Sequence, residues 1–202
     1  MTNTGETRAK GRWTKTVDNV KVIAIKPDNA MDRLRLCWGH LDDWRNLEIV
    51  RETKKWLEKT NAIFTPTTFI AYKNQMPVGM MEFIPHKSLN KLGLCPCRVD
   101  RENNETPERY ILGEKFENHL FISCFLVSKE HQHKGVGKVL LSHFLNSEVL
   151  KNSDGALVYV TSRDENWAPH IHWPAGPKEF YLKAGFLIEK TLNDPTGYIL
   201  SY

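Results

Sequence analysis

The chain has 202 residues with 41% hydrophobic and 10% aromatic content, which excludes a disordered chain and points to one globular domain with a sizeable core. Its 28 basic residues are interspersed with 24 acidic ones, so the net charge of +4 is mild: it suits an anionic ligand and argues against nucleic-acid binding. No apolar stretch reaches the roughly 20 residues that cross a bilayer, and "MTNTGETRAKGRWTK" lacks the apolar centre of a secretory signal. The four cysteines are too few and too scattered for a disulfide framework, so a cytoplasmic protein with reduced thiols and no membrane partner is expected.

Residues 1–17 are polar and aperiodic and read as a flexible arm; residues 18–202 read as one domain. "VKVIAIKP" (20–27) alternates as a first strand, and Asn29 is placed to cap a helix over 29–41. In 42–61 the apolar residues Trp44, Leu47, Val50 and Leu57 recur at helical spacing. "TTFIAYKNQMPVGMMEFIP" (67–85) gives two β-rich runs around the polar "KNQM", a hairpin. Residues 86–118 have no sustained period and hold Pro96 and Pro107; a loop of that length is expected to be functional or mobile.

"HLFISCFLV" (119–127) is continuously apolar, as a strand buried on both faces requires, and should be central. From Gly135 the spacing of Val136, Val139, Leu140, Phe144 and Val149 predicts an amphipathic helix to about residue 152. "ALVYVTS" (156–162) is the next buried strand, "PKEFYLKAGF" (177–186) a short helix closed by Gly185, and "FLIEKTLN" with "GYILSY" a terminal strand pair. The expected architecture is α/β, a mixed central sheet of about six to seven strands flanked by helices.

The stretch "EHQHKGVGKVLL" (130–141) joins the central strand to its helix. A buried strand entering a helix through glycines leaves unpaired N–H groups at the positive end of the helix dipole, which suits a phosphate. Gly135 and Gly137 let an anion approach the backbone while Lys134 and Lys138 add charge at the rim. The stretch is neither G-x-G-x-x-G nor G-x-x-x-x-G-K-[ST], which argues against NAD and ATP.

Two segments carry a resemblance. "Gln132-His133-Lys134-Gly135-Val136-Gly137" is similar to the Q/R-x-x-G-x-G/A pyrophosphate loop of the GNAT N-acetyltransferase superfamily, and "FYLKAGF" (180–186) is similar to its F-Y-x-K-x-G-F segment. The likeness is best over 119–187. It implies a fold whose fourth and fifth strands splay apart around acetyl-CoA, used as co-substrate. The pantetheine arm would then pair with the backbone of Phe125, Leu126 and Val127. The pyrophosphate would lie on Gln132, His133, Lys134, Gly135, Val136, Gly137 and Lys138.

The implied activity is N-acetyl transfer to a primary amine, on a small molecule or a peptide, with Tyr181 in the position of the family's usual proton donor. A base is needed as well. Glu82, an acid in an apolar strand, is the candidate, either held near the site or facing solvent at an edge; His119 and Ser123 are weaker alternatives. Where many family members carry an Asn about eight residues ahead of the tyrosine, this chain has Trp173 or Pro174, which puts that contact in doubt. The acceptor would bind against residues 29–61 and 86–118, where Trp38, Trp44, Tyr110 and Phe116 offer aromatic walls and Asp100, Glu102, Glu105 and Glu108 negative charge.

A second reading is a catalytically weak CoA-binding sensor or a metal-binding module using Cys95 and Cys97, although C-P-C is an awkward spacing for zinc. His131, His133, His170 and His172 read as exposed loop histidines rather than ligands, and Cys124 as a small core residue. The amine, the acyl length and the oligomeric state, a homodimer included, are left open.

Overall fold

The computed structural model describes residues 19–38, 47–92, 112–161, 176–193 and 196–202. Seven strands form one sheet: β1 (Val20–Ala24), β2 (Thr68–Lys73), β3 (Met76–Pro85), β4 (Leu120–Val127), β5 (Ala156–Thr161), β6 (Leu187–Asn193) and β7 (Thr196–Ser201), in the order β1-β2-β3-β4-β5-β7-β6. All neighbours are antiparallel except β4 and β5, which run parallel because a helical crossover joins them. β4 is the middle strand, as its unbroken apolar run requires.

The hairpin of β2 and β3 turns on Asn74 and Gln75, which take φ of 49° and 66°; a two-residue turn with both φ positive matches the twist of its strands. Helices α1 (Ala30–Trp38), α2 (Leu47–Asn61) and α3 (Leu89–Leu92) precede β4. α4 (Val136–Leu145) and α5 (Glu148–Lys151) follow it, and α6 (Lys178–Leu182) follows β5. α1 packs on β3 and β4, and α4 packs across β1 to β4. The side chains they cover fall into separate clusters, as alternation along β2, β3 and β4 demands. Phe69, Met81, Phe83 and Ile122 meet Val136, Leu140 and Phe144 of α4, whereas Ile70, Met80 and Cys124 meet Leu36 of α1.

Three local expectations are corrected. Asn29 does not cap α1: it lies in a 3-10 turn (Pro27–Asn29), where its Oδ1 accepts from the Lys26 N–H at 2.6 Å. The helix expected from Gly135 to about 152 breaks after Leu145, because the Ser147 hydroxyl accepts from the Leu150 N–H and starts α5 as a new cap. The segment read as aperiodic holds a 3-10 turn (His86–Ser88), α3, and a further 3-10 turn (Glu114–Phe116). Residues 1–17 and the centre of the 86–118 segment lie outside the described residues, as do Cys95, Cys97, His170 and His172. Among the described residues no helix is long and apolar enough to cross a membrane.

Candidate active site

The registered pairs between β4 and β5 are only Leu120↔Ala156, Phe121↔Leu157 and Ile122↔Val158, although β4 continues to Val127 and β5 to Thr161. On the opposite edge β4 stays paired with β3 to its end, Phe125, Leu126 and Val127 lying against Met81, Met80 and Gly79. Among the described residues, no strand is registered with those three positions on the β5 side. The registered pairing of β4 with β5 therefore ends at Ile122, well before the carboxyl end of β4.

The loop leaving β4 is braced by its own side chains. Gln132 Nε2 donates to the Val127 carbonyl at 3.0 Å, and Ser128 Oγ lies 3.0 Å from His131 Nδ1. His133 and Gly135 both take positive φ, 58° and 87°, which curls the backbone around Lys134. Gly135 is the N-cap of α4, and among the described residues no side chain caps that helix. The first-turn N–H groups of any α-helix lack intrahelical acceptors, so Val136 and Gly137 present theirs at the positive end of the dipole. Both Lys134 and Lys138 are exposed at this rim. His131 is tied to Ser128 and His133 is exposed, so the two do not converge as ligands. Among the described residues no group of three or more His, Cys, Asp or Glu could hold a metal.

Aromatic rings gather beside this end of β4. A Cβ added at Gly137 would lie 3.3 Å from Phe125 Cε1 and 3.6 Å from Phe180 Cζ, so the bare backbone of α4 abuts these rings. Phe125 meets Phe180 at 5.5 Å and Tyr181 at 6.2 Å between centroids, and Phe186 backs Tyr181 at 5.2 Å. α6 is held by its C-terminal turn, where Phe186 N–H donates to the Tyr181 carbonyl and Gly185, at φ 98°, donates to Leu182. Tyr181 is fully buried and its hydroxyl has no hydrogen-bond partner among the described residues. Burial, with the Cys124 thiol adding to it, pushes the phenol pKa well above its ordinary value, so the hydroxyl keeps its proton. An orphaned buried donor is rare in a folded chain.

Glu82 lies on the α1 face of β3, opposite Thr68 of β2 and Cys124 of β4. It is buried rather than facing solvent at an edge, which removes that alternative. Its Oε2 accepts from Arg33 Nε at 3.1 Å and from Nη2 at 2.5 Å, and its Oε1 accepts from Ser123 Oγ at 2.9 Å. Arg33 was not among the residues the sequence singled out. Its signal is positional: it stands between Ala30 and Leu34 on the spacing of the apolar face of α1, where a charge needs a buried partner. Phe116 is buried and stacks on His119 at 5.0 Å, so the first of these is core rather than an open acceptor wall. Desolvation lowers the His119 pKa.

Residues 34–186 match the acetyltransferase (GNAT) family. This chain belongs to that family. A comparison with curated protein sequences finds no match. The GNAT fold is shared with solved structures of low identity. An N-acetyltransferase from Staphylococcus aureus Mu50 is 14% identical with a TM-score of 0.56, covering 90% of this chain and 100% of that one. The PaiA N-acetyltransferase from Thermoplasma acidophilum, solved with coenzyme A, is 15% identical with a TM-score of 0.51, over 90% and 97% of the two chains. Arabidopsis thaliana Naa50, solved with the bisubstrate analogue CoA-Ac-MVNAL, is 17% identical with a TM-score of 0.51, over 91% and 98%. GNAT enzymes use acyl-CoA and acetylate amine acceptors, so this chain is an acetyltransferase of that family.

Proposed function

We propose that this acetyltransferase moves the acetyl group of acetyl-CoA directly to a primary amine, in a single domain spanning 18–202. The observation that carries the reading is the convergence of three features near the carboxyl end of β4. These are the uncapped N-terminus of α4, the Phe125 and Phe180 wall against Gly137, and the buried, unpartnered hydroxyl of Tyr181. The residues fit CoA: a Gly137 side chain would fill the wall, and the curled 132–138 backbone suits a pyrophosphate.

His133, Lys134, Gly135, Val136, Gly137 and Lys138 would hold the pyrophosphate, with Gln132 fixing the loop to Val127. The edge of Phe125, Leu126 and Val127, which has no registered partner on the β5 side among the described residues, would receive the pantetheine arm. Acetyl-CoA supplies an acyl carbon activated by its thioester. Tyr181 holds a proton at Oη and delivers it to the departing sulfur, while Glu82 serves as the sink for the amine's proton. Cys124 is a free buried thiol, in keeping with a reducing, cytoplasmic setting where acetyl-CoA is made and used.

Calorimetric titration with acetyl-CoA tests the cofactor site: the wild type binds, and Gly135→Asp or Gly137→Asp weakens binding at least about tenfold. Unchanged affinity in both variants would refute the assignment. A thiol-release screen with acetyl-CoA against polyamines, amino acids, aminoglycosides and peptides identifies the acceptor; release with none of them would remove the enzymatic reading.

A further inference from the structure

We propose that Glu82 takes the acceptor's proton through the hydroxyl of Ser123, with Arg33 as the fixed counter-charge that holds the carboxylate in place. This rests on the acetyl-transfer reading above and names how its base works.

Three wholly buried polar side chains from three elements meet here: Arg33 of α1, Glu82 of β3 and Ser123 of β4. The two carboxylate oxygens are used differently. Oε2 is occupied by both Nε and Nη2 of Arg33, a side chain that never gives up its charge in a protein. Oε1 receives the Ser123 hydroxyl, a group that can accept one proton while passing on its own.

The backbone sets Ser123 at a break in the pairing. The β3–β4 register passes from Glu82↔Cys124 to Phe83↔Ile122 and steps over Ser123, which marks a bulge. The registered β4–β5 pairs stop at Ile122, one residue before it. Ser123 is therefore the first residue of β4 past its registered pairs with β5, and the next two residues along β4 are Cys124, which acts on Tyr181, and Phe125, which touches it. Acid and relay thus flank one short stretch of strand.

Stability alone does not account for the pair. Replacing a buried ion pair by apolar residues of similar volume is often neutral or stabilising, and the surrounding Met80, Ile70 and Leu36 show what this layer otherwise uses. From the elements packed against it, Glu82 meets Arg33 of α1 and Cys124 of β4. β2 places Thr68 opposite it, and α2 sets the Trp56 ring 6.0 Å from the Arg33 guanidinium.

The transfer balances without any redox partner. Before attack, an N–H bond of the acceptor's ammonium breaks: its proton joins Ser123 Oγ and the original Ser123 proton moves to Glu82 Oε1, which leaves a neutral amine whose electron pair forms the bond to the acyl carbon. As the C–S bond breaks its electron pair stays on sulfur, which takes the Tyr181 proton, and the second surplus proton on nitrogen passes to the Tyr181 oxygen and restores the phenol. Glu82 releases its proton to solvent through Ser123 once the amide has left.

The experiment measures kcat/KM against pH with acetyl-CoA and the acceptor identified by thiol release, alongside CoA affinity by calorimetry. Glu82→Gln and Ser123→Ala lose about 100-fold near neutral pH and regain the rate as pH approaches the acceptor's own pKa, where bulk water has removed the proton. Ser123→Thr keeps a hydroxyl and restores the wild-type profile with a rate within about threefold. Arg33→Lys, a point charge in place of a fork, lowers kcat without moving KM for acetyl-CoA. A loss equal at every pH, no loss, or a Ser123→Thr as impaired as Ser123→Ala overturns the relay while CoA affinity stays near wild type. Absence of CoA binding by the wild type overturns the acetyltransferase site itself, and the relay with it.

Discussion

The two faces of the sheet are built on different principles. The α4 face is one apolar cluster in which Phe69, Phe83, Leu140 and Phe144 close on one another and Tyr181 is the one hydroxyl-bearing side chain among the described buried members. The α1 face buries Arg33, Glu82, Thr53, Thr68 and Ser123 among a smaller set of apolar side chains. A dry face makes a rigid platform for a loop that works through its backbone, and a polar face can hold charge and move protons. The proposed relay accordingly sits on the α1 face, while the cofactor loop leads from the end of β4 into the helix that covers the other.

The sharpest way to break this contrast is Arg33→Ala. It strands a buried carboxylate and should cost about 3–5 kcal/mol in urea unfolding, whereas Arg33→Met with Glu82→Leu should recover most of that loss. On the other face Leu140→Ala, at a position with no exposure, should cost about 2–5 kcal/mol with no partner substitution able to rescue it. If the double variant stays as unstable as Arg33→Ala, the polar face is there for packing and the contrast fails.

Tyr181→Phe separates chemistry from architecture. Removing a buried hydroxyl that lacks a partner should leave stability unchanged or raise it by about 1 kcal/mol, while turnover falls about 100-fold and CoA affinity holds. Full activity would return Tyr181 to the core. Gly135→Ala, forced to φ 87°, should cost about 1–2 kcal/mol by thermal melting.

The smallest effect is that of pH. Desolvation lowers the pKa of His119 and of His143, so the unfolded chain binds protons more readily than the folded one. Their stabilisation is complete above about pH 6.5, the ordinary histidine value, and is lost as pH falls through the lower folded values. The melting temperature should therefore decline on acidification below that point, and less steeply in His143→Gln. A flat profile would mean that neither ring is desolvated in solution.

Much of this was legible in the chain. The period-2 runs, the unbroken β4 and the Gly135 and Gly137 loop specify strands, central position and an anion-binding helix start, because such signals are local: they depend on residues within one or two turns. The same locality misplaced Asn29 and ran α4 through Ser147, since capping is decided by which of several nearby donors a side chain reaches.

What the sequence determined by itself was therefore the order of elements, the backbone chemistry of the cofactor loop and the two segments that carry the family resemblance. Only the tertiary structure decided that the registered pairs of β4 and β5 end at Ile122, that the Tyr181 hydroxyl is buried without a partner among the described residues, and that Glu82 is clasped by Arg33 and Ser123. Arg33 lies 49 residues before Glu82, and Ser123 lies 41 beyond it. No window along the chain contains all three; pairing β3 with β4 and laying α1 across them brings them together, so the relay exists only once the sheet has formed.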